Sequence, residues 1–389
     1  MKVSEKNGRK IFSILVLLIT FSVNFDSAFV IPIIANYALF LGASLIMVGI
    51  IVGIYSMVHL PSNILLGRIV DKIGRKIPLV IGLCLDALSL VLYAIAISPI
   101  FLLSARLIHG IGGGFGGPAT MSYFGDITPK ERSGRVMASY GIAVALSMLM
   151  GFIIGGFAIH FLGYAALFLG IATMLFIMAA LSLLLPTTYR PPSSRIPLKK
   201  EISILKQTIL RKVMISPYLS IFVANFNLGM ITTGYTIILK SVGYTDAHIG
   251  MFLAVMVLVS IVVHYPAGSF GDRIGKREMT SLGLLFVASS FVALLFSTEL
   301  PYPVIGMVIL GIGHGAIFPT AAGLIRENTS SENIGIASGT FYGLIVAGVA
   351  VGAPITGLIL ELTGINLSII AGVVVPLIAM ILILKIKPD

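Results

Sequence analysis

Long apolar segments, separated by short polar ones, run through the whole of this 389-residue chain. Most are close in length to the roughly 20 residues that a helix needs to cross a bilayer. Because unpaired backbone groups are costly in hydrocarbon, such segments must be helices or barrel strands, and their length selects helices. The pattern predicts an all-α membrane protein with twelve transmembrane helices. Their predicted bounds are 11–35, 45–66, 77–97, 100–121, 135–159, 164–186, 214–239, 247–269, 279–298, 302–324, 335–360 and 366–384.

Composition supports lipid as the surrounding solvent. Only 11% of the residues are charged, against about 25% in ordinary soluble domains. The first apolar segment follows several basic residues, as a secretory signal peptide does. It is too long for one, contains Asp26 and lacks a convincing small-residue cleavage site, so we interpret it as a transmembrane span.

Basic residues are concentrated in alternate polar segments. The net charge of +11 would suggest a nucleic-acid partner in a soluble protein. Here, 24 of the 26 Lys and Arg residues fall in the termini and in loops on one side of the membrane; Arg106 and Lys240 are the other two. This bias marks cytoplasmic segments. We therefore expect a multi-pass protein of the cytoplasmic (inner) membrane with both termini inside, and no nucleic-acid partner.

The sequence matches itself, without a gap, at an offset of 201 residues. The matches extend from the first span of each half to the fifth. They include Asn24-Phe25 with Asn225-Phe226, Gly42 with Gly243, Gly110 with Gly311, Pro118 with Pro319, and Gly156 with Gly357. Two parallel six-helix halves with the substrate near the midplane are a known transporter plan. We predict bundles at 1–186 and 214–389, joined by a basic cytoplasmic linker at 187–213.

A polar, glycine-containing loop follows span two and is repeated after span eight. Glycines permit a tight turn and close helix approach, and an aspartate among cations can form or break an ion pair. The positive charge typical of cytoplasmic loops, together with glycines that permit a turn, would explain the basic residues. It would not explain an aspartate at the same position in both copies. The copies are Gly67-Arg-Ile-Val-Asp71-Lys-Ile-Gly74-Arg75-Lys76 and Gly268-Ser-Phe-Gly-Asp272-Arg-Ile-Gly275-Lys276-Arg277. Both resemble the signature loop of the major facilitator superfamily.

The resemblance implies two pseudo-symmetric six-helix bundles and a gating role for these loops. Asp71 and Arg75 would close the cytoplasmic side in the outward-open state, and Asp272 and Lys276 would act similarly. Gly67, Gly74, Gly268 and Gly275 complete the predicted gating set.

Span four is similar to a second motif of that family. It contains Arg106-x2-His109-Gly110-x-Gly112-Gly113-Gly114. The resemblance implies that Arg106 faces the cavity and takes part in proton coupling, although the family usually has glutamine where His109 stands. Span five has Gly151-x3-Gly155-Gly156 without the proline that proton antiporters often carry, which weakens the case for antiport.

Two charges inside the spans are the candidates for proton coupling. Asp26 lies midway through span one, where burial disfavours its ionised form and permits proton exchange near neutral pH. Its counterpart in the second half is Asn227, and that of Arg106 is Met307. We predict that Asp26 binds the proton in alternation with pairing to Arg106; a static Asp26–Arg106 pair is the alternative. The role of Asp86 in span three stays open.

The predicted substrate contacts are the mirrored asparagines, the aromatic residues beside them and one histidine of span ten. They are Asn24, Phe25, Asn225, Phe226, Asn227 and His314. The sequence shows no cluster with metal-ligand spacing and no catalytic nucleophile set, so we expect no metal, no cofactor and no enzymatic activity.

These features predict secondary active transport of a small molecule by a functional monomer. Proton-coupled efflux of hydrophobic or cationic compounds is favoured, because the chain resembles drug:proton antiporters and has an apolar interior with an acid in the membrane. Proton-coupled uptake of a small organic acid or amino acid is the alternative, with Arg106 binding the carboxylate. A non-transporting membrane sensor, with no flux and no need for Asp26, is the third possibility.

Overall fold

The computed structural model describes residues 2–127, 133–187, 211–330 and 333–386. Side chains are not described at 2–11, 67–69, 71–72, 124–127, 133–138 and 335. All regular elements in these ranges are helical. They are α1 (Lys2–Val30), α2 (Ile34–Phe40), α3 (Leu45–Ile73), α4 (Lys76–Ala94), α5 (Pro99–Ile127), α6 (Ser133–Ser182), α7 (Lys212–Met230), a π-helical turn (Ile231–Tyr235), α8 (Thr236–Ser241), α9 (Asp246–Ile274), α10 (Lys276–Phe296), α11 (Tyr302–Glu327), α12 (Ile334–Thr363) and α13 (Ile365–Lys385).

Within the described ranges, ten helices are long and apolar enough to cross a membrane, two fewer than predicted. The apolar part of α6 runs for 44 residues, Ser139–Ser182, which is long enough for two spans. Non-helical backbone at Gly163 interrupts it between the predicted fifth and sixth spans. The other difference is α5, which is 29 residues long but rich in glycine and outside the ten. The all-helical membrane fold is confirmed, and the total of twelve spans stays a prediction.

Left-handed glycines occur in pairs at the same offset of 201 residues. This conformation carries a steric penalty for residues with a side chain, so glycine is the default where the chain must turn in this way. The pairs are Gly42 and Gly243 (φ 88° and 99°), Gly74 and Gly275 (φ 96° and 106°), and Gly163 and Gly364 (φ 71° and 82°). The repeat predicted from sequence is therefore also a repeat of backbone conformation.

Helix starts repeat in the same way. The hydroxyl of Ser44 accepts a hydrogen bond from the backbone N–H of Met47 at the start of α3. Thr245, the mirrored residue, caps α9 by accepting from the N–H of His248. Such caps satisfy backbone donors that have no partner within the helix. The caps fix the beginning of the second predicted span in each half.

Glycines also allow equivalent helices to approach closely. A Cβ on Gly110 would lie 2.8 Å from the carbonyl oxygen of Tyr55, and one on Gly311 would lie 2.6 Å from that of Met256, the residue that mirrors Tyr55. The contacts of α1 with α6 and of α4 with α5 likewise have counterparts in those of α7 with α12 and of α10 with α11. Without a hydrophobic driving force between helices in lipid, such close van der Waals packing is what holds them together.

The chain divides into two compact units. The first comprises residues 1–43 and 54–193, and the second comprises 44–53 and 194–389. Large apolar side chains such as Phe161 and Phe296, which are 78% and 76% exposed, lie on the outer surfaces of these helices. A soluble protein rarely exposes so much apolar surface, whereas lipid accommodates it. The predicted bundle boundaries stay predictions, and most of the predicted linker, residues 188–210, lies outside the described residues.

Candidate functional site

A buried hydrogen-bonded chain crosses the interior of the first unit and joins three helices. Asp26 of α1 and His109 of α5 have no exposed surface. The Nε2 atom of His109 lies 3.2 Å from Oδ2 of Asp26, and its Nδ1 lies 2.8 Å from the hydroxyl of Tyr93 on α4. His109 is therefore the bridge between the predicted proton site and α4.

Arg106 belongs to the same cluster. It is 5% exposed, it donates to the Tyr93 hydroxyl at 3.5 Å, and its guanidinium carbon lies 4.9 Å from the centre of the Tyr55 ring. Its position one turn before His109 on α5 directs both side chains to one face of the helix. The pairing of Asp26 with Arg106 that the sequence predicts stays a prediction, whereas His109 is a partner that the sequence analysis missed. The i, i+3 spacing was the signal that could have revealed it.

Ser27 connects Asp26 to α3. Its hydroxyl donates to Oδ1 of Asp26 at 3.1 Å and lies 2.8 Å from the hydroxyl of Tyr55. The guanidinium of Arg106 lies over the ring of Tyr55. Asp26 and Arg106 are therefore linked indirectly, through the hydroxyl of Ser27 and the ring of Tyr55. A change in the charge of Asp26 would therefore alter contacts on α1, α3 and α5 together.

Asp86 of α4 lies beside this chain. It has no exposed surface, and neither of its carboxyl oxygens has a hydrogen-bond partner. One polar atom from each of Asp26, Asp86 and His109 lies within 4.8 Å of the others. Its carboxyl rests against Gly112, where a Cβ would overlap it. The structure thus brings the acid of undecided role into the predicted proton site.

Distance alone would let Asp26, Asp86 and His109 hold a metal ion. The donor chemistry fits poorly. Both ring nitrogens of His109 are already engaged, with Asp26 and with Tyr93, and the cationic Arg106 is a neighbour of the same group. A second cation would repel Arg106 in a medium of low dielectric constant. The expectation of no metal site stays a prediction.

The cluster has no charged counterpart in the second unit. The mirrored positions hold one amide and four apolar side chains. Asn227, Leu310, Met307, Val287 and Leu294 stand where Asp26, His109, Arg106, Asp86 and Tyr93 stand in the first unit. The same backbone plan therefore accommodates apolar residues at four of these places, so the fold itself does not require the charges.

The asparagines predicted to contact substrate use their amide N–H groups within the protein. Asn24 donates to the carbonyl of Thr20 and Asn225 to that of Ile221, one helical turn earlier. Asn227 donates to the carbonyl of Gly372 on α13, and its buried Oδ1 has no partner. Contact of these asparagines with substrate stays a prediction.

The predicted aromatic contacts are buried. Phe25 is 4% exposed and stacks between Phe21 and Phe29, and Phe226 is 8% exposed. Both fit helix packing, and their contact with substrate stays a prediction. Nε2 of His314 on α11 is buried without a hydrogen-bond partner.

The gating loop of the second unit forms an ion-pair cluster. The ammonium of Lys276 lies 2.6 Å from the carboxylate of Asp272 and 2.5 Å from that of Glu327 on α11. Glu327 was missed in the sequence, although its mirrored residue, Asp126, is also acidic and would have indicated it. A cavity of about 430 Å³ opens beside this cluster, between the end of α9 and the starts of α7 and α10.

The corresponding loop of the first unit is described in part. Gly74 has the same left-handed backbone as Gly275, and a buried Arg75 donates to the carbonyl of Val70 at 3.0 Å. The side chain of Asp71 and the surroundings of Gly67 lie outside the described residues. A Cβ on Gly268 would lie 4.0 Å from that of Pro319, so this glycine leaves room for a small side chain. The gating role of both loops stays a prediction.

Known proteins resemble this chain over most of its length. An uncharacterised MFS-type transporter of Methanocaldococcus jannaschii is 25% identical over 355 residues, which are 89% of this chain and 90% of that protein. The multi-drug resistance efflux pump PmrA of Streptococcus pneumoniae is 25% identical over 279 residues, covering 69% of this chain and 68% of the pump.

A solved structure shows the same fold. A bacterial homologue of the human lysosomal transporter Spinster, in its inward-facing and occupied conformation, superposes with a TM-score of 0.81 at 16% identity, covering 97% of this chain and 96% of that one. The family model of the Major Facilitator Superfamily matches residues 16–219 and 217–389, once for each half. This chain therefore belongs to the Major Facilitator Superfamily of membrane transporters, and it is not an enzyme.

Proposed function

We propose that this chain is a secondary active transporter that couples proton movement to the efflux of hydrophobic or cationic small molecules across the cytoplasmic membrane. The observation that carries the proposal is the buried Asp26, which His109 and Ser27 contact in the first unit. The mirrored position in the second unit holds Asn227. An ionisable residue inside a membrane is expensive, so its presence at a place where an amide suffices indicates function.

Charge balance supplies the mechanism. When Asp26 is ionised, its charge is balanced by Arg106 in the same cluster, and His109 and Ser27 hold its oxygens. A proton on Asp26 neutralises it and weakens these contacts, which leaves Arg106 with an uncompensated charge. A hydrophobic cation competes with the proton for the same negative charge. Because the proton and the cation cannot occupy that charge together, one must leave before the other binds, which is the requirement for antiport.

The gating loops couple this exchange to the opening of one side. In the second unit, Lys276 joins α11 to the loop through Glu327 and Asp272. These groups are partly exposed, so each pair is weak and can break and re-form as helices move. We propose the same part for Asp71 and Arg75 in the first unit.

Similarity to the PmrA pumps, named as multidrug efflux proteins, supports efflux as the direction. Proton-coupled uptake of a small organic acid or amino acid is the second candidate. The buried cation of Arg106, stacked on Tyr55, favours it because a carboxylate could bind there.

Reconstituted vesicles with an imposed pH gradient test the proposal. We expect a cationic dye to move opposite to protons with the natural protein and with Glu299→Gln, a control that removes an exposed carboxylate from a loop. Asp26→Asn should abolish the dependence on the gradient. Full gradient-driven flux through Asp26→Asn would refute the coupling role. Proton-linked entry of an organic anion, without dye movement, would replace efflux by uptake.

A further inference from the structure

Asp86 is an acid in the first unit that no other side chain satisfies. Both of its oxygens are buried and lack hydrogen-bond partners. A carboxylate in this state would bear a full charge in a buried place with no donor to stabilise it. A protonated carboxyl is neutral and avoids that cost.

Packing does not require an acid at this place. A Cβ on Gly112 would lie 2.9 Å from the backbone nitrogen of Asp86, and one on Gly313 would lie 3.0 Å from that of Val287. The two glycines and the two residues they face are mirrored at the offset of 201 residues. In the second unit, valine therefore occupies the space beside the glycine that Asp86 occupies in the first, so an apolar residue of similar size suits the fold. The carboxyl of Asp86 needs another explanation.

The titratable groups of the cluster that contains Asp86 decide which charge it can carry. The helices α1, α3, α4 and α5 contribute one further acid, one guanidinium, two imidazoles and two phenols; these groups are Asp26, Arg106, His59, His109, Tyr55 and Tyr93. The helix α6, which packs against α1 and α4, has two phenols and the exposed imidazole of His160 among its described titratable side chains. With Asp26 ionised and both histidines neutral, Arg106 already balances the cluster. An ionised Asp86 would add an uncompensated negative charge within 4.8 Å of polar atoms of Asp26 and His109.

We infer that Asp86 is a second proton-binding site, which holds a proton while Asp26 is ionised. This rests on the proposed coupling function and deepens it, because a proton reservoir then stands beside the acid that is exchanged. Transfer of that proton breaks an O–H bond on Asp86 and forms one on Asp26, so the negative charge moves to Asp86 and the total charge is unchanged. The cluster therefore handles its proton with two carboxyls, not one.

Infrared spectroscopy of the full chain in lipid vesicles tests the inference without any transport assay. A protonated carboxyl gives a C=O stretching band that is distinct from those of a carboxylate and shifts in heavy water. At neutral pH we expect this band in the natural protein, in the control Glu299→Gln, and in the double variant Asp26→Asn with Arg106→Met. The double variant installs both mirrored residues and removes both charges, so Asp86 should stay protonated in it. The band should be lost in Asp86→Asn, which keeps the shape of the side chain, and in Asp86→Val, which installs the residue of the mirrored position.

Persistence of the band in both Asp86 variants would overturn the inference. Its loss in the double variant would also do so, because the resident proton would then belong to Asp26. Elemental analysis adds a further outcome: a bound metal ion in stoichiometric amount, lost in Asp86→Asn, would replace the proton by a cation. Should both Asp86 variants fail to fold, the spectrum of the double variant still decides. A band without coupled transport would refute the proposed function and leave the second proton site standing.

Discussion

Replacing His109 should show how much the buried bridge between α1, α4 and α5 contributes to stability. Its ring lies 3.2 Å from Asp26 and 2.8 Å from the Tyr93 hydroxyl. A hydrogen bond to a charged group contributes about 1.5–3 kcal/mol, and one between neutral groups about 0.5–1.5 kcal/mol. The substitution His109→Leu, which installs the residue found at the mirrored Leu310, should lower the free energy of unfolding by about 2–4 kcal/mol.

A double-mutant cycle isolates the part that belongs to the pair. Asp26→Asn also installs the mirrored residue, Asn227, so the double variant buries the same Asn and Leu that the second unit already holds. Because each single substitution leaves a partner unsatisfied, the double variant should be less destabilised than the sum of the two by about 1–3 kcal/mol. The cycle thus predicts a positive coupling between residues on two different helices.

Reversible unfolding in mixed micelles with a denaturing detergent, followed by the loss of helical circular dichroism, measures all four proteins. Ile111→Leu serves as a matched control, because Ile111 lies on the same helix with 41% of its surface exposed; it should change stability by less than about 0.5 kcal/mol. Additivity of the two substitutions within about 0.5 kcal/mol would refute the reasoning, since the described contact would then carry no energy.

Two further substitutions probe the packing and the gating cluster in the same assay. Gly112→Ala forces a methyl group against the Asp86 carboxyl and should destabilise by about 1–3 kcal/mol, whereas Gly141→Ala, with no atom within 4 Å of the added carbon, should be neutral or slightly stabilising. A neutral Gly112→Ala would contradict the close packing of α4 on α5. Glu327→Gln removes one of the two carboxylates that pair with Lys276. Because the Glu327 side chain is 54% exposed, the substitution should lower the free energy of unfolding by less than about 1 kcal/mol, and by less still in high salt. A large loss that salt leaves unchanged would count against this assignment.

Symmetry was the part of the structure that sequence comparison predicted best. The offset of 201 residues anticipated the paired left-handed turns at Gly74 and Gly275 and the matching glycine contacts of α5 and α11. It succeeded because a turn that needs a positive φ, or a helix crossing that leaves no room for a side chain, restricts the residue type at one position. Such constraints are local and remain visible in the chain as it is read.

The partners within the site were less accessible to sequence. Asp26, Asp86 and His109 are separated by tens of residues and stand on three helices, so no local pattern relates them. The sequence therefore paired Asp26 with Arg106, the other conspicuous charge, and treated His109 as a departure from the family motif. Glu327 was missed for the same reason, because its partner Lys276 lies 51 residues earlier.

The sequence by itself determined that the chain lies in a lipid bilayer and folds into helices, because hydrocarbon requires long apolar helices. It also determined the duplication, because a repeated turn requires a repeated glycine. Only the tertiary structure decided which buried groups meet. The rotation of each helix about its axis and the way α4 docks on α5 set that meeting, and both depend on segments that are far apart in the sequence. They bring Asp86 to the predicted proton site, where a charge that looked isolated in the sequence becomes one member of a shared cluster.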